Sequence, residues 1–109
     1  MSEAYFQRFE DIQPKEIFPG YLARLIHTPN NTINFLDVEP GGPVPMHQHP
    51  HHQCSFVIEG SFEMTVGEET QILTPGTFAI IPSNIPHGGR ALSKCRILDI
   101  FSPVREDYR

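Results

Sequence analysis

The sequence predicts an all-β chain folded as one antiparallel sandwich or barrel. Three observations lead there. Short runs of β-branched and aromatic residues recur along the chain, each closed by Gly, Pro or Asn. No window carries apolar residues at three- and four-residue spacing over three turns, so amphipathic helices have no place. Eleven prolines and eight glycines would break helix interiors, but they suit the turns between many short strands. At 109 residues the chain fits a single domain, residues 1–109, whose core a dimer would reinforce.

The elements follow in order. Residues 1–20 are the least patterned; Phe6, Phe9, Ile12, Ile17 and Phe18 suggest an apolar N-terminal arm packed on the barrel or on a partner subunit. Tyr21 to His27 reads as a strand. Thr32 to Val38 alternates polar and apolar residues and stops at Glu39-Pro40-Gly41-Gly42-Pro43. Gln53 to Ile58 and Ser61 to Val66 are two strands joined at Glu59-Gly60, a hairpin signal. Thr70 to Thr74 ends at Pro75-Gly76, and Phe78 to Ile81 ends at Pro82-Ser83-Asn84. A last strand, Lys94 to Phe101, stops at Ser102-Pro103. No repeat or linker interrupts the series.

Composition excludes several function classes. A formal net charge of -5 argues against a nucleic-acid partner, which would want a basic face. No apolar run approaches the roughly 20 residues that span a bilayer. The opening residues, Met1 to Phe6, lack the basic and apolar segments of a secretory signal, so a cytoplasmic location is expected. Cys54 and Cys95 stand far apart and form no Cys-x-x-Cys pair, leaving neither a zinc ribbon nor a redox motif. Two reduced thiols in strands are expected instead.

The histidines carry the chemistry. Four of six fall between positions 47 and 52. Residues two apart on a strand share a face, so His47 and His49 can both reach one ion at the usual ~2.0–2.1 Å. Gln53 opens the next strand and offers a side-chain oxygen, and His87 sits where a neighbouring strand would begin. His-x-His alone is a weak signal; its surroundings strengthen it. Gly41, five residues, His47-Gln48-His49, three residues, Gln53, six residues and Gly60 form one spaced pattern. Gly76, five residues, Pro82-Ser83-Asn84, two residues, His87, three residues and Ala91 form a second.

In both patterns the chain resembles the cupin superfamily. Gln53 departs from the acidic ligand of the first motif (41–60), while Asn84 and Ala91 depart from Gly and Asn in the second (76–91). Asn tolerates positive φ, so the first of these two is a mild change. The resemblance implies a single-domain, RmlC-like double-stranded β-helix, a jelly-roll barrel. It also implies one divalent transition metal, Zn, Ni, Mn, Fe or Cu, held by His47, His49, Gln53 and His87. His51 and His52 are out of ligand phase. A neutral amide ligand leaves the ion its full charge of about +2, which favours Lewis-acid work on an anionic or hydroxylated substrate.

The last strand adds a second resemblance. Ile97, Asp99 and Phe101 share one face; whether that face is interior stays open, because both faces are apolar. An interior Asp99 would be a carboxylate in an apolar cavity, tuned for proton transfer. Asp99-x-Phe101-Ser102-Pro103-x-Arg105-Glu106-Asp107-Tyr108 is similar to the closing segment of the KdgF family of pectin-degradation cupins. That family opens Δ4,5-unsaturated uronates to linear 5-keto-4-deoxyuronates on a metal held by three His and a Gln. The resemblance implies active-site roles for Asp99, Phe101 and Arg105. Asp99 would move the proton, Phe101 would shape the apolar wall, and Arg105 or Arg24 would grip the uronate carboxylate in a fork. The expected partners are an anionic, sugar-derived small molecule and a second copy in a homodimer. Three other classes compete: an O₂-dependent dioxygenase, disfavoured by Gln53, a non-catalytic sensor, and a cyclase or isomerase of secondary metabolism.

Overall fold

The computed structural model describes residues 5–109, so the first four residues of the expected arm lie outside it. The described residues form ten strands: β1 Lys15–Phe18, β2 Tyr21–His27, β3 Thr32–Val38, β4 Pro43–His47, β5 His52–Glu59, β6 Phe62–Val66, β7 Glu69–Leu73, β8 Phe78–Ile81, β9 His87–Ala91 and β10 Cys95–Ser102. A six-stranded sheet runs β1-β2-β3-β10-β5-β8 and faces a four-stranded sheet, β4-β9-β6-β7. Pairing is antiparallel throughout. This is the jelly-roll expected. No helix among the described residues is long and apolar enough to cross a membrane.

Alternation along the strands builds the interior in layers. In β3 the buried set is Thr32, Asn34, Leu36 and Val38, and in β10 it is Cys95, Ile97, Asp99 and Phe101. Register lines these residues up across the three central strands. Leu36, Ile97 and Val57 make an apolar row; Asn34, Asp99 and Ser55 make a polar row; Thr32, Phe101 and Gln53 make the row nearest the histidines. Tyr21, Val38, Phe62 and Leu73 close the apolar end of the core, while Ile81 extends the row of Gln53. One end of the barrel thus holds the fold and the other is free for chemistry. Each fully buried aliphatic or aromatic side chain contributes about 1.5–3 kcal/mol.

The turn at Glu59-Gly60 corrects the hairpin expectation. β5 lies in the large sheet and β6 in the small one, so the chain crosses between sheets there. Gly60 has φ 85°, and a Cβ would stand 2.2 Å from the Lys94 carbonyl oxygen. Gly60→Ala is therefore expected to lower unfolding free energy by about 2 kcal/mol or more, read from the urea midpoint. Asn84 takes φ 60° in the second motif, as its amide side chain permits.

Three strands were not legible in full, although one was expected to begin at His87, as β9 does. β4 carries Pro43 and Pro45, which read as turn residues, but it is an edge strand where proline is tolerated. β9 contains Gly88-Gly89, and a Cβ at Gly89 would meet the Glu63 carbonyl at 2.4 Å. Close approach of neighbouring backbones selects glycine there. β1 is the third, and it carries the packed part of the arm: Ile17 and Phe18 rest half-buried on the core, while Phe9 packs outside, 4.5 Å from the Phe35 ring centroid. Tyr5 and Phe6 stay exposed.

Candidate metal centre and active site

Three histidines converge at the polar end of the barrel. His47 ends β4 and pairs in register with His87, which begins β9. His49 lies beyond the end of β4, in the connection to β5. Strand phase therefore does not align His47 with His49 as expected; the bend does. The three side chains nevertheless offer ligand atoms within 4.8 Å of one another, and His49 and His87 are buried.

Backbone carbonyls fix the ring orientations. His47 Nδ1 donates to Pro45 O at 2.9 Å, His49 Nδ1 to His51 O at 3.0 Å, and His87 Nδ1 to Ile85 O at 2.9 Å. A proton on each Nδ1 leaves a lone pair on each Nε2, the form that binds metal. Burial holds His87 in that neutral form, lowering its pKa to about 4 against the raising effect of the Ile85 carbonyl. Burial, then Arg105, lowers His49 too.

Two features of this arrangement fit a cation. The His87 Nε2 atom is buried with no hydrogen-bond partner among the described residues, and such an orphan is costly unless something else satisfies it. His49 Nε2 stands 3.1 Å from Gln53 Oε1. With Nδ1–H committed to His51, that contact sets two acceptors face to face. Two ligands at about 2.1 Å from one ion stand about 3.0–3.4 Å apart at right-angle or tetrahedral geometry. His47, His49, His87 and the Gln53 oxygen thus suit one divalent transition metal, and the donor types leave its identity open.

The closing strand brings the other expected residues to the same cavity. Asp99 faces inward, resolving what its sequence context left open. Its Oδ1 accepts from Ser55 Oγ at 2.6 Å. Burial pushes its pKa up to about 6, against the opposing pull of Ser55, Gln53 and Arg105. Phe101 lines the cavity edge-on to His49, with centroids 5.7 Å apart. Arg105 is buried; its guanidinium carbon lies 4.8 Å from the Phe101 ring and 4.0 Å from the Tyr108 ring. Its Nε and Nη2 donate to the two Asp107 oxygens at 2.9 and 2.7 Å. That fork is spent inside the chain, on Asp107.

Arg24 requires correction. Tyr21 and Ala23 are the buried residues of β2, and Arg24 projects from the opposite face. There it pairs with Asp37 at 3.3 Å, whose other oxygen accepts from Arg96 at 3.0 Å. It does not line the cavity. His52 is exposed, and His51 sits in the bend against His49. Cys54 and Cys95 are free thiols.

Among the cavity residues that sequence reasoning missed are Asn34, Ser55 and Tyr108. Asn34 lies directly opposite Asp99 and keeps a buried Oδ1 without a partner among the described residues. Ser55 is Asp99's neighbour on the other side. Tyr108 lines the cavity through its packing on Arg105. The inward phase of Asp99 on β10, carried across the register, would have found the first two.

The Cupin domain family matches residues 34–101, well over half of the chain. The chain belongs to the cupin family. Among cupins it resembles KdgF. It is 38% identical over 64 residues to the pectin degradation protein KdgF of Dickeya dadantii strain 3937, covering 57% of this chain and 58% of that protein. The match thus spans less than two thirds of that relative's length. The solved structure of KdgF from Halomonas sp. superposes with a TM-score of 0.86 at 29% identity, covering 92% of this chain and 95% of that one. An RmlC-like cupin from Shewanella frigidimarina NCIMB 400 superposes with a TM-score of 0.91 at 26% identity, over 98% and 97% of the two chains.

Proposed function

We propose that this KdgF-like cupin opens a Δ4,5-unsaturated uronate and tautomerises it to the linear 5-keto-4-deoxyuronate. One observation carries the reading: a buried carboxyl, Asp99, with its pKa near 6, shares a cavity with His47 and His87 of the histidine cluster and with a buried arginine. Its likeness to two KdgF proteins supports the substrate class.

A bound divalent ion would supply Lewis acidity toward substrate oxygens. The chain's own residues supply the rest. Asp99 takes the proton from the anomeric hydroxyl as the C1–ring oxygen bond breaks, giving an aldehyde at C1 and an enolate at C5. The same carboxyl returns that proton to C4 as the enolate becomes the ketone, so the reaction is an isomerisation that consumes nothing. A pKa close to working pH suits one group to both transfers. Phe101 provides the apolar wall and the face on which Arg105 rests. Arg105 presents its free N–H edge to the uronate carboxylate. We place the reaction in the cytoplasm, on a homodimer that covers exposed Ile72, Phe78 and Ile80 on edge strands β7 and β8.

Unsaturated monomer from a pectin- or alginate-lyase digest tests the proposal. Metal-loaded protein is expected to accelerate loss of the monomer's ultraviolet absorbance, equally with and without oxygen. A rate matching the protein-free control would reject it, and dependence on oxygen would favour a dioxygenase.

A further inference from the structure

The polar row across the barrel also orders the metal-facing amide. Ser55 is fully buried and stands directly opposite Asp99 in register. Its Oγ–H donates to Asp99 Oδ1 at 2.6 Å, and Gln53 Nε2 donates to Ser55 Oγ at 2.9 Å. Gln53 Oε1, at the other end of the amide, is the atom 3.1 Å from His49 Nε2.

A serine hydroxyl has a single proton. Here the carboxyl of Asp99 takes it, leaving Ser55 Oγ with lone pairs only. Whatever faces Ser55 from Gln53 must then be a donor, so the NH₂ end turns towards Ser55 and the oxygen towards the histidines. The two ends of a carboxamide are alike in shape, and only the oxygen can ligate a cation. Packing alone therefore cannot choose between them; hydrogen bonding must.

We infer that Ser55 is a positioning residue that sets the polarity of the Gln53 amide, holding its oxygen towards His47, His49 and His87 and tying the metal-facing ligand to Asp99. This rests on the reading that those three histidines and Gln53 hold a divalent ion. A carboxylate at position 53 would need no such device, because both of its ends are oxygens. Ser55 thus answers the feature that distinguishes this site, a neutral ligand in an acidic ligand's place.

The test is a double-mutant cycle read by zinc affinity, using competition with a chromophoric chelator. Ser55→Ala is expected to weaken zinc binding by roughly 10–100-fold, the usual loss when a group orienting a ligand is removed. In a Gln53→Glu background the same substitution is expected to leave affinity unchanged or improve it. Equal losses in both backgrounds would mean that Ser55 only fills space, and no loss beside Gln53 would overturn the inference outright. The wild-type fold supplies a second readout that needs no variant. In zinc-loaded protein the Gln53 side-chain NH₂ protons are expected to exchange slowly with solvent, and rapid exchange would contradict their being held by Ser55. Failure of wild-type protein to bind zinc at all would instead overturn the metal reading, before any variant is made.

Discussion

Asp99→Asn is expected to remove turnover while making the metal-free protein more stable at neutral pH. Loss of a positioned acid–base group costs roughly 10²–10⁴-fold in rate, and the proposed reaction uses this group twice. The stability gain follows from burial, which raises the carboxyl to about 6 in the folded protein, above its ordinary value of about 3.9. Below that ordinary value the side chain is neutral in both folded and unfolded states and costs nothing. As pH rises through about 6 the folded protein must carry a buried charge that the unfolded chain carries in water. Above that pH the cost is about 2–3 kcal/mol, at about 1.4 kcal/mol per pKa unit. Urea unfolding with chelator present should therefore find the Asn variant more stable than wild type at pH 8 and no more stable at pH 4. A gain equal at both values would mean that the carboxyl does not titrate as described.

His87→Ala is expected to abolish metal binding and the thermal stabilisation that metal confers. A ligand at a hundredfold excess over its Kd stabilises the folded state by about 2.7 kcal/mol. Wild-type protein should show such a rise in Tm on adding metal, and the variant none. The acid response is a second signature. Burial depresses His87 to about 4 in the fold, so its contribution is complete above the ordinary histidine value of about 6.5 and is lost as pH falls towards 4. Asp99 slopes the opposite way across much of that window. In metal-free protein, His87→Ala should therefore resist acid better than wild type relative to its own neutral stability, and Asp99→Asn should resist it worse. Retention of metal-dependent stabilisation by His87→Ala would remove that residue from the site.

The fold and the clustering of His47, His49 and His87 were legible because period-two alternation and fixed motif spacing are local signals. β2, β3 and β8 begin and end where their turn residues put them. Other features depend on distant chain. β4 and β9 hide behind proline and glycine, whose presence reflects an edge position and crowded neighbouring backbones. Glu59-Gly60 resembles a hairpin turn, and only the partition of β5 and β6 into different sheets makes it a crossover. Arg24 and Arg105 were equivalent candidates for a substrate carboxylate; the phase of β2 turns the first outward, and the tail beyond Pro103 carries the second inward. Arg105's own partner, Asp107, lies two residues away, yet nothing in the sequence says that the fork closes there. Asn34 and Ser55 are ordinary strand residues until register sets them on either side of Asp99.

The central claim is a single metal held by three imidazoles and the Gln53 oxygen. X-ray absorption on zinc-loaded wild-type protein, at measured stoichiometry, tests it most directly. One ion per chain, with three imidazole nitrogens and at least one oxygen in its coordination shell and no sulfur, is the result expected. No stoichiometric ion, a shell with two imidazoles or fewer, or a sulfur ligand from Cys54 or Cys95 would contradict it.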